Sequence, residues 1–100
     1  MENHLNYSEL YEVYKKLLTE NQAELFNLYY NCDLSLGEIS EIKGISRQGV
    51  SDAISKTREL LEEYEEKLLL LSKKRELSLL SKEISDGEIS KKLDKIIGEF

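Results

Sequence analysis

Apolar residues recur every three or four positions along most of the chain, which is the spacing of amphipathic helices. The first such segment covers residues 5–18, and a second runs from Thr19 to Tyr30. A final segment over residues 87–98 places four apolar residues on one face: Ile89, Leu93, Ile96 and Ile97. Because the 100-residue chain has no proline and five glycines, these patterns predict an all-α fold in one small domain.

Capping signals mark where several of these helices begin and end. Thr19 with Gln22, and Ser35 with Glu38, have the spacing of capping boxes, in which each side chain bonds the other residue's backbone N–H. The second box predicts a short helix over residues 36–43, ended by a glycine that adopts positive φ without strain. Further N-caps are predicted at Ser46 and at Asp86.

A long helix is predicted from Arg47 to about residue 80, because no glycine or proline occurs between Gly49 and Gly87. Its apolar positions fall near a 3.5-residue spacing, which suits pairing with another helix. The first half is expected to cover the protein's own helices. Since little chain remains to cover the stripe beyond that half, we predict a homodimer whose interface includes Tyr64, Leu68 and Leu71.

Residues 34–55, LSLGEISEIKGISRQGVSDAIS, have the spacing of a helix-turn-helix. Ser40 is the small residue expected where the two helices cross, and Gly44 lies in the turn. Ile39 and Ile45 are expected on the inner side of the turn, facing Val50 and Ala53 of the next helix. The alternative interpretation is a plain helical hairpin with no role in nucleic-acid binding.

The second helix of such a unit lies in the major groove, with its N-terminal residues at the base edges. Arginine pairs with guanine and glutamine with adenine, while Ser46 and the first backbone N–H groups suit a phosphate. The alternative is that these side chains only solvate an exposed first turn. The candidate nucleic-acid-binding residues are Lys43, Ser46, Arg47, Gln48, Ser51, Asp52, Ser55, Lys56 and Arg58.

Charge changes this picture, because the whole chain carries a net charge of -6. Residues 43–58 form the most positive block, with four basic residues against one acidic residue. Five glutamates follow within residues 59–72 and would repel phosphate. Since phosphate contacts usually dominate affinity, unaided binding to a duplex is expected to be weak.

The residues that carry other chemistry do not form a recognisable site. The single histidine and the single cysteine make no metal-ligand cluster, and no glycine-rich phosphate loop occurs, so no cofactor, metal or catalytic residue is predicted. Cys32 is expected to be half-buried at a helix end, and Tyr7, Tyr11 and Tyr14 are expected in the core rather than stacked on RNA bases. No apolar run of 18 residues occurs and the start does not resemble a secretory signal, which predicts a cytoplasmic protein without membrane insertion.

Four blocks of the sequence resemble the YlxM family of small bacterial proteins. They are LLTENQAELFNLYY (17–30), DLSLGEISE (33–41), ISRQGVSDAI (45–54) and ELLEEYEEKL (59–68), in the expected order and spacing. The resemblance covers about residues 5–70 and implies an all-helical cytoplasmic protein with a helix-turn-helix like region 4 of sigma-70-type transcription factors. One departure is Lys43, at a position that is usually apolar in such motifs.

The resemblance implies no known enzymatic activity. Because the genes of the family neighbour those of the signal recognition particle, it implies an accessory or regulatory role in that pathway, through the particle's protein or RNA. Two alternatives stay open: a DNA-binding transcriptional regulator and a structural dimerisation module. The expected organisation is a helix-turn-helix part over residues 1–58. Residues 59–100 would then form the rest of the long helix and a short final helix, for dimerisation within the same domain.

Overall fold

The computed structural model describes the backbone of residues 4–100 and the side chains from Tyr7 onward. Within that part, the chain forms six α-helices and no strand, which confirms the predicted all-α fold. A single turn of 3-10 helix, Lys15–Leu17, follows the first helix. The helices are α1 (His4–Tyr14), α2 (Glu20–Tyr30), α3 (Leu36–Lys43), α4 (Arg47–Leu68), α5 (Leu70–Glu83) and α6 (Gly87–Ile97).

Both predicted capping boxes are formed. The Thr19 hydroxyl accepts the N–H of Gln22, and the Gln22 side chain accepts the N–H of Thr19. The pair of Ser35 and Glu38 repeats this arrangement, and these hydrogen bonds lower the pKa of Glu38. Asp86 caps α6 by accepting two backbone N–H groups, as predicted. Local side-chain chemistry therefore sets the starts of these three helices.

The core lies where α1, α2 and α3 pack against the first two-thirds of α4. Tyr11 stacks on Phe26 with ring centroids 5.4 Å apart, and Phe26 stacks on Tyr30 at 4.3 Å. Tyr11 and Tyr14 are buried, which confirms that the tyrosine stripe of α1 belongs to the core and is not a surface for stacking bases. Leu25, Ile39, Val50 and Leu61 complete the buried centre.

The prediction of one continuous helix from Arg47 to about residue 80 is wrong. The helix ends at Leu68, and a new helix begins at Leu70. Leu69 between them has φ +55° and ψ +29°, the left-handed conformation that side chains other than glycine rarely adopt. No glycine or proline marks this break, so local sequence signals could not indicate it.

Tertiary hydrogen bonds satisfy the first turn of α5 after this break. The Glu65 carboxylate accepts the backbone N–H groups of Leu71 and Ser72, at 3.0 and 3.1 Å. The Tyr14 hydroxyl accepts the N–H of Leu70 at 3.0 Å and donates to Glu65 at 2.6 Å. Burial and the hydrogen bond to Glu65 raise the pKa of Tyr14 to about 12. Glu65 and Tyr14 thus act together as the N-terminal cap of α5.

The bend turns α5 back against α1, which changes the expected dimer interface. Leu71 is only 6% exposed within the single chain, and Tyr64 is half-buried beside Tyr14. Of the three residues predicted at a dimer interface, only Leu68, at 49% exposed, lies on the surface. The expectation that too little chain remains to cover this stripe is therefore wrong for Leu71 and largely so for Tyr64.

The last two helices extend the molecule away from the core. α6 packs against α5, where Ser81 donates to the carboxylate of Asp94 at 2.7 Å and Ile97 is buried. Ile89 and Ile96, on the predicted apolar face of α6, stay about half exposed. The described residues span 53 × 24 × 22 Å. No helix among them is long and apolar enough to cross a membrane.

Candidate nucleic-acid interface

The turn between α3 and α4 is closed by Ser40 and Gly44. Gly44 has φ +69°, so the residue that ends α3 takes the left-handed conformation predicted for it. The carbonyl of Ser40 accepts the N–H groups of Gly44 and Ile45, at 2.9 and 3.3 Å. The Ser40 hydroxyl in turn donates to the Ile45 carbonyl. A small hydroxyl residue at this position therefore fastens the turn from both sides.

Apolar contacts between α3 and α4 only partly follow the prediction. Ile39 and Val50 are buried and Ala53 is half-buried, as expected for residues that lock the two helices together. Ile45 is 42% exposed, however, so it is only partly covered, although its Cδ1 atom lies 3.9 Å from a Cβ added at Gly49 of α4. Ile42, one turn earlier, is also exposed. These two isoleucines place apolar surface beside the start of α4.

The first turn of α4 faces solvent with its N–H groups available. Ser46 is the N-cap, and its hydroxyl accepts the N–H of Gly49 at 2.9 Å. The N–H groups of Arg47 and Gln48 have no carbonyl one turn earlier within the helix, and no acidic residue lies in this turn. The helix dipole adds partial positive charge here. This end of α4 can therefore accept an anionic oxygen, with Ser46 able to donate its own hydrogen.

Arg47 lies across the start of α3. A Cβ added at Gly37 would meet the Arg47 Nη2, Nε and Cζ atoms at 3.0, 3.1 and 3.3 Å. The guanidinium group therefore rests against Gly37, where a side chain would crowd it. Arg47 is exposed and forms no ion pair or hydrogen bond with the described side chains 7–100. Its donors are thus available to a ligand.

Several other outward residues of α4 form hydrogen bonds with one another, which the sequence did not indicate. The Gln48 amide donates to the carboxylate of Asp52 at 2.8 Å, one turn further along α4. Both side chains are exposed, so this pair faces solvent where base edges would lie. Ser51 is half-buried, and the Ser55 hydroxyl accepts from Arg58 at 3.2 Å. The bond to Asp52 uses one of the two N–H donors of the Gln48 amide, so the second N–H and the amide oxygen remain available to a base.

Two of the four basic residues within residues 43–58, Lys43 and Arg58, are bound within the protein. Lys43 forms an ion pair with Glu24 of α2. Arg58 donates to the Tyr30 hydroxyl at 2.8 Å and lies over the ring of Tyr7, with 5.8 Å from its Cζ to the ring centroid. Both side chains therefore fasten the helix-turn-helix to α1 and α2. Lys56 is exposed and, like Arg47, makes no ion pair among the described side chains.

Sequence reasoning missed Gly37, Glu24 and Tyr30 as residues that shape this surface. Glu24 and Tyr30 lie 19 and 28 residues from the cations they bind, a separation at which no periodic pattern connects two positions. Gly37 did carry a usable signal, because a glycine in the first turn of a capped helix is a poor helix former. That signal indicates a close approach by another group.

Metal-ligating side chains and the single cysteine do not come together in a site within the described part of the chain. No group of three or more metal-ligating side chains occurs there. Cys32 is exposed, which corrects the expectation of a half-buried cysteine, and its sulfur lies 3.9 Å from the Asn27 amide nitrogen.

Comparisons with known proteins agree with this geometry. Residues 1–99 match the family UPF0122, described as a helix-turn-helix protein, YlxM / p13 like. A UPF0122 protein of Caldanaerobacter subterraneus subsp. tengcongensis is 56% identical over 68 residues, which are 68% of this chain and 58% of that protein. A relative in Ureaplasma parvum is 44% identical over 87 residues, 87% of this chain and 88% of its own length. One from Bacillus cereus is 54% identical over 69 residues, which are 69% of this chain and 61% of the relative.

Proposed function

We propose that this chain, which belongs to the UPF0122 (YlxM / p13-like) family of helix-turn-helix proteins, is a non-enzymatic regulator that binds duplex DNA. The α3–α4 unit is the binding element, and it acts in the cytoplasm. The start of α4 enters the major groove, as the second helix of such units does.

The observation that carries this proposal is the position of Arg47. Its guanidinium group is exposed, unpaired and packed against Gly37, and its side chain leaves α4 at the first residue of that helix. A guanidinium fork held at this place can donate to guanine O6 and N7. The adjacent N–H groups and the Ser46 hydroxyl hold the neighbouring phosphate. Lys56, further along α4, supplies a second phosphate contact.

The charge distribution sets how strongly such a complex forms. Lys43 and Arg58 are occupied by Glu24 and Tyr30, so Arg47 and Lys56 are the free cations within residues 43–58. Because Arg47 contacts a base, Lys56 is the one of these two cations that neutralises a phosphate, which gives a slope of about -1 for the logarithm of the binding constant against the logarithm of salt concentration. We therefore expect weak and strongly sequence-dependent binding, detectable at low salt.

Fluorescence anisotropy with duplex DNA selected from a random-sequence pool tests the proposal. Arg47→Ala should relax sequence preference and cost about 1–3 kcal/mol, whereas Lys56→Ala should weaken binding to every sequence and reduce the salt slope by about 1. Lys92→Ala, on the distant helix α6, is the matched control for loss of one positive charge. If the unaltered protein retains no duplex from the pool at low salt, DNA binding is excluded.

Gly37→Ala gives a sharper test, because it keeps every charge. The added methyl group lies within 3.3 Å of three guanidinium atoms, so the flexible Arg47 side chain has to move. The fold should be retained, since alanine is the better helix former. The contact is relieved by a shift of a few tenths of an ångström, so we expect the variant to lose less sequence preference than Arg47→Ala does, while its salt slope stays unchanged. Unaltered sequence preference would show that contact with Gly37 does not position Arg47 for base recognition.

A second candidate function is an accessory role in the signal recognition particle pathway, through contact with the particle's protein or RNA. The observation that favours it is that Glu24 neutralises Lys43 and that Tyr30 holds the Arg58 guanidinium group, which leaves this helix-turn-helix with fewer cations extended toward DNA. Direct binding to the purified particle protein or RNA would support it, and absence of binding to both would remove it. A pull-down with and without nuclease separates the protein partner from the nucleic acid.

The third candidate is a dimerisation module over residues 59–100, within the same domain as residues 1–58. Leu68 is the predicted interface residue that remains on the surface. Sedimentation of the wild-type protein as a monomer at tens of micromolar would exclude a homodimer formed through this residue.

A further inference from the structure

We propose that two copies of this chain exchange their α5–α6 segments by straightening the bend at Leu69. The partner is a second copy, and the receiving surface is the face of α1 and α4 that α5 covers within the single chain. This inference is independent of DNA binding, because it concerns the opposite end of α4.

The bend depends on a single residue that is poorly suited to it. Leu69 alone separates α4 from α5 and has φ +55°. Its side chain is 46% exposed, so the bend gains little burial of that leucine. Residues 50–86 contain neither glycine nor proline, so nothing local opposes a continuous helix. The backbone itself therefore favours the straight form, and tertiary contacts hold the bent one.

Straightening leaves no backbone group without a partner. In the bent chain, Leu70 donates to Tyr14, while Leu71 and Ser72 donate to Glu65. In a continuous helix, the same three N–H groups would donate to carbonyls one turn earlier, at residues 66–68. The capping hydrogen bonds are thereby replaced within the helix. Residues 47–83 would then form one rod about 55 Å long.

A second copy restores the packing that opening removes from each chain. α5 buries Leu71 and pairs Arg75 with Glu9 of α1. α6 stays attached to α5 through Ser81 and Asp94, so the two helices move as one unit. In a two-fold dimer, each copy would place its Leu71 and Arg75 on the α1 of the other. The surfaces are already complementary, since the single chain joins them.

The exchange also covers surface that the single chain leaves exposed. Leu68 and Leu69 are about half exposed at the bend. Two straightened helices would cross near this point, so these leucines from both copies would pack together. The exchanged dimer therefore buries more apolar surface than two separate chains do.

Sedimentation equilibrium of Leu69→Gly and Leu69→Ala tests the exchange. Both substitutions remove the same leucine side chain, but glycine favours the left-handed bend and alanine favours the continuous helix. We expect the dimer dissociation constant of Leu69→Ala to be at least tenfold lower than that of Leu69→Gly. Equal dissociation constants, or two variants that stay monomeric up to hundreds of micromolar, would overturn the proposal.

Charge reversal shows whether the dimer that forms is exchanged. In the Leu69→Ala background, Glu9→Arg and Arg75→Glu each place like charges where α1 meets α5. Refolded together, the two variants form an exchanged heterodimer in which both α1–α5 pairs have opposite charges. One pair joins the unaltered Glu9 to the unaltered Arg75, and the other joins the two substituted residues. We expect the mixture to contain more dimer than the average of the separate variants. Equal amounts would overturn the exchange, because a dimer without it keeps each α1–α5 pair within one chain. Circular dichroism of each variant verifies that it folds.

Discussion

Tyr14 joins α1 to both sides of the bend between α4 and α5. Its ring is buried in the core against Tyr64, and its hydroxyl joins Glu65 of α4 to Leu70 of α5. The hydroxyl donates one hydrogen bond and accepts another, so its removal would leave groups on both sides without a partner. A buried polar group left in this state costs more than an average hydrogen bond contributes.

Tyr14→Phe should therefore lower the free energy of unfolding by about 1–3 kcal/mol. Urea denaturation followed by circular dichroism gives this value directly. Tyr64→Phe is the matched control, because its hydroxyl lies 3.5 Å from the Leu17 carbonyl and makes at most a weak bond. Equal losses for the two variants would show that the cap on α5 contributes no stability.

Stability should also fall at alkaline pH. The pKa of Tyr7 is raised to about 12 by its hydrogen bond to Glu62, and that of Tyr14 to about 12 by burial and Glu65. Because the unfolded tyrosine ionises near 10, the neutral form favours the folded state. This stability is fully present below pH 10 and is lost as pH rises from about 10 to about 12.

Urea denaturation across that range, together with tyrosinate absorbance, checks this prediction. Tyr7 and Tyr14 should ionise after the other tyrosines, over the same pH range in which the protein unfolds. If every tyrosine of the folded protein titrates near its ordinary pKa of about 10, the hydrogen bonds of Tyr7 and Tyr14 to glutamate do not hold their protons.

At the scale of the elements, helix starts follow local chemistry closely. The capping boxes of α2 and α3 and the caps Ser46 and Asp86 lie where the sequence predicts them. The turn of the helix-turn-helix also lies where the sequence predicts it. Gly44, which has positive φ, donates its N–H to the carbonyl of Ser40 only four residues earlier. The sequence does not predict the break at Leu69, since the residues that stabilise it lie on α1 and one turn back on α4.

Gly44→Ala should destabilise the protein by about 1–2 kcal/mol, measured by urea denaturation. No atom lies within 4 Å of an added Cβ, so the cost comes from backbone conformation alone and not from a clash. Gly44→Asn should lose clearly less, because asparagine tolerates the left-handed region. An alanine variant as stable as the wild type would indicate that the turn relaxes to another conformation.

The whole molecule shows why Leu71 is a core residue. Helices α5 and α6 continue the chain in an elongated shape, yet the start of α5 returns to the core beside α1. A stripe at 3.5-residue spacing looks the same whether a second copy or the chain's own helix covers it. The direction of the chain after Leu68 decides between these two cases.

Leu71→Ala should therefore lower the free energy of unfolding by about 2–5 kcal/mol, at a protein concentration where the chain is monomeric. Leu80→Ala, at a position 51% exposed on the same helix, is the control and should change it by about 0.5 kcal/mol or less. Denaturation at two protein concentrations separates core packing from dimer packing. A loss that appears only at the higher concentration would assign Leu71 to an interface between copies.

The helical class, most helix boundaries and the helix-turn-helix turn could all be predicted from the order of the amino acids. These features depend on spacing and on capping residues two to four positions apart, which form their hydrogen bonds locally. The bend at Leu69, the burial of Leu71 and the internal use of Lys43 and Arg58 could not. Each of these depends on Tyr14, Glu24 or Tyr30, which lie between 19 and 56 residues away along the chain. Only the packing of α1 and α2 against α4 brings such residues within hydrogen-bond distance.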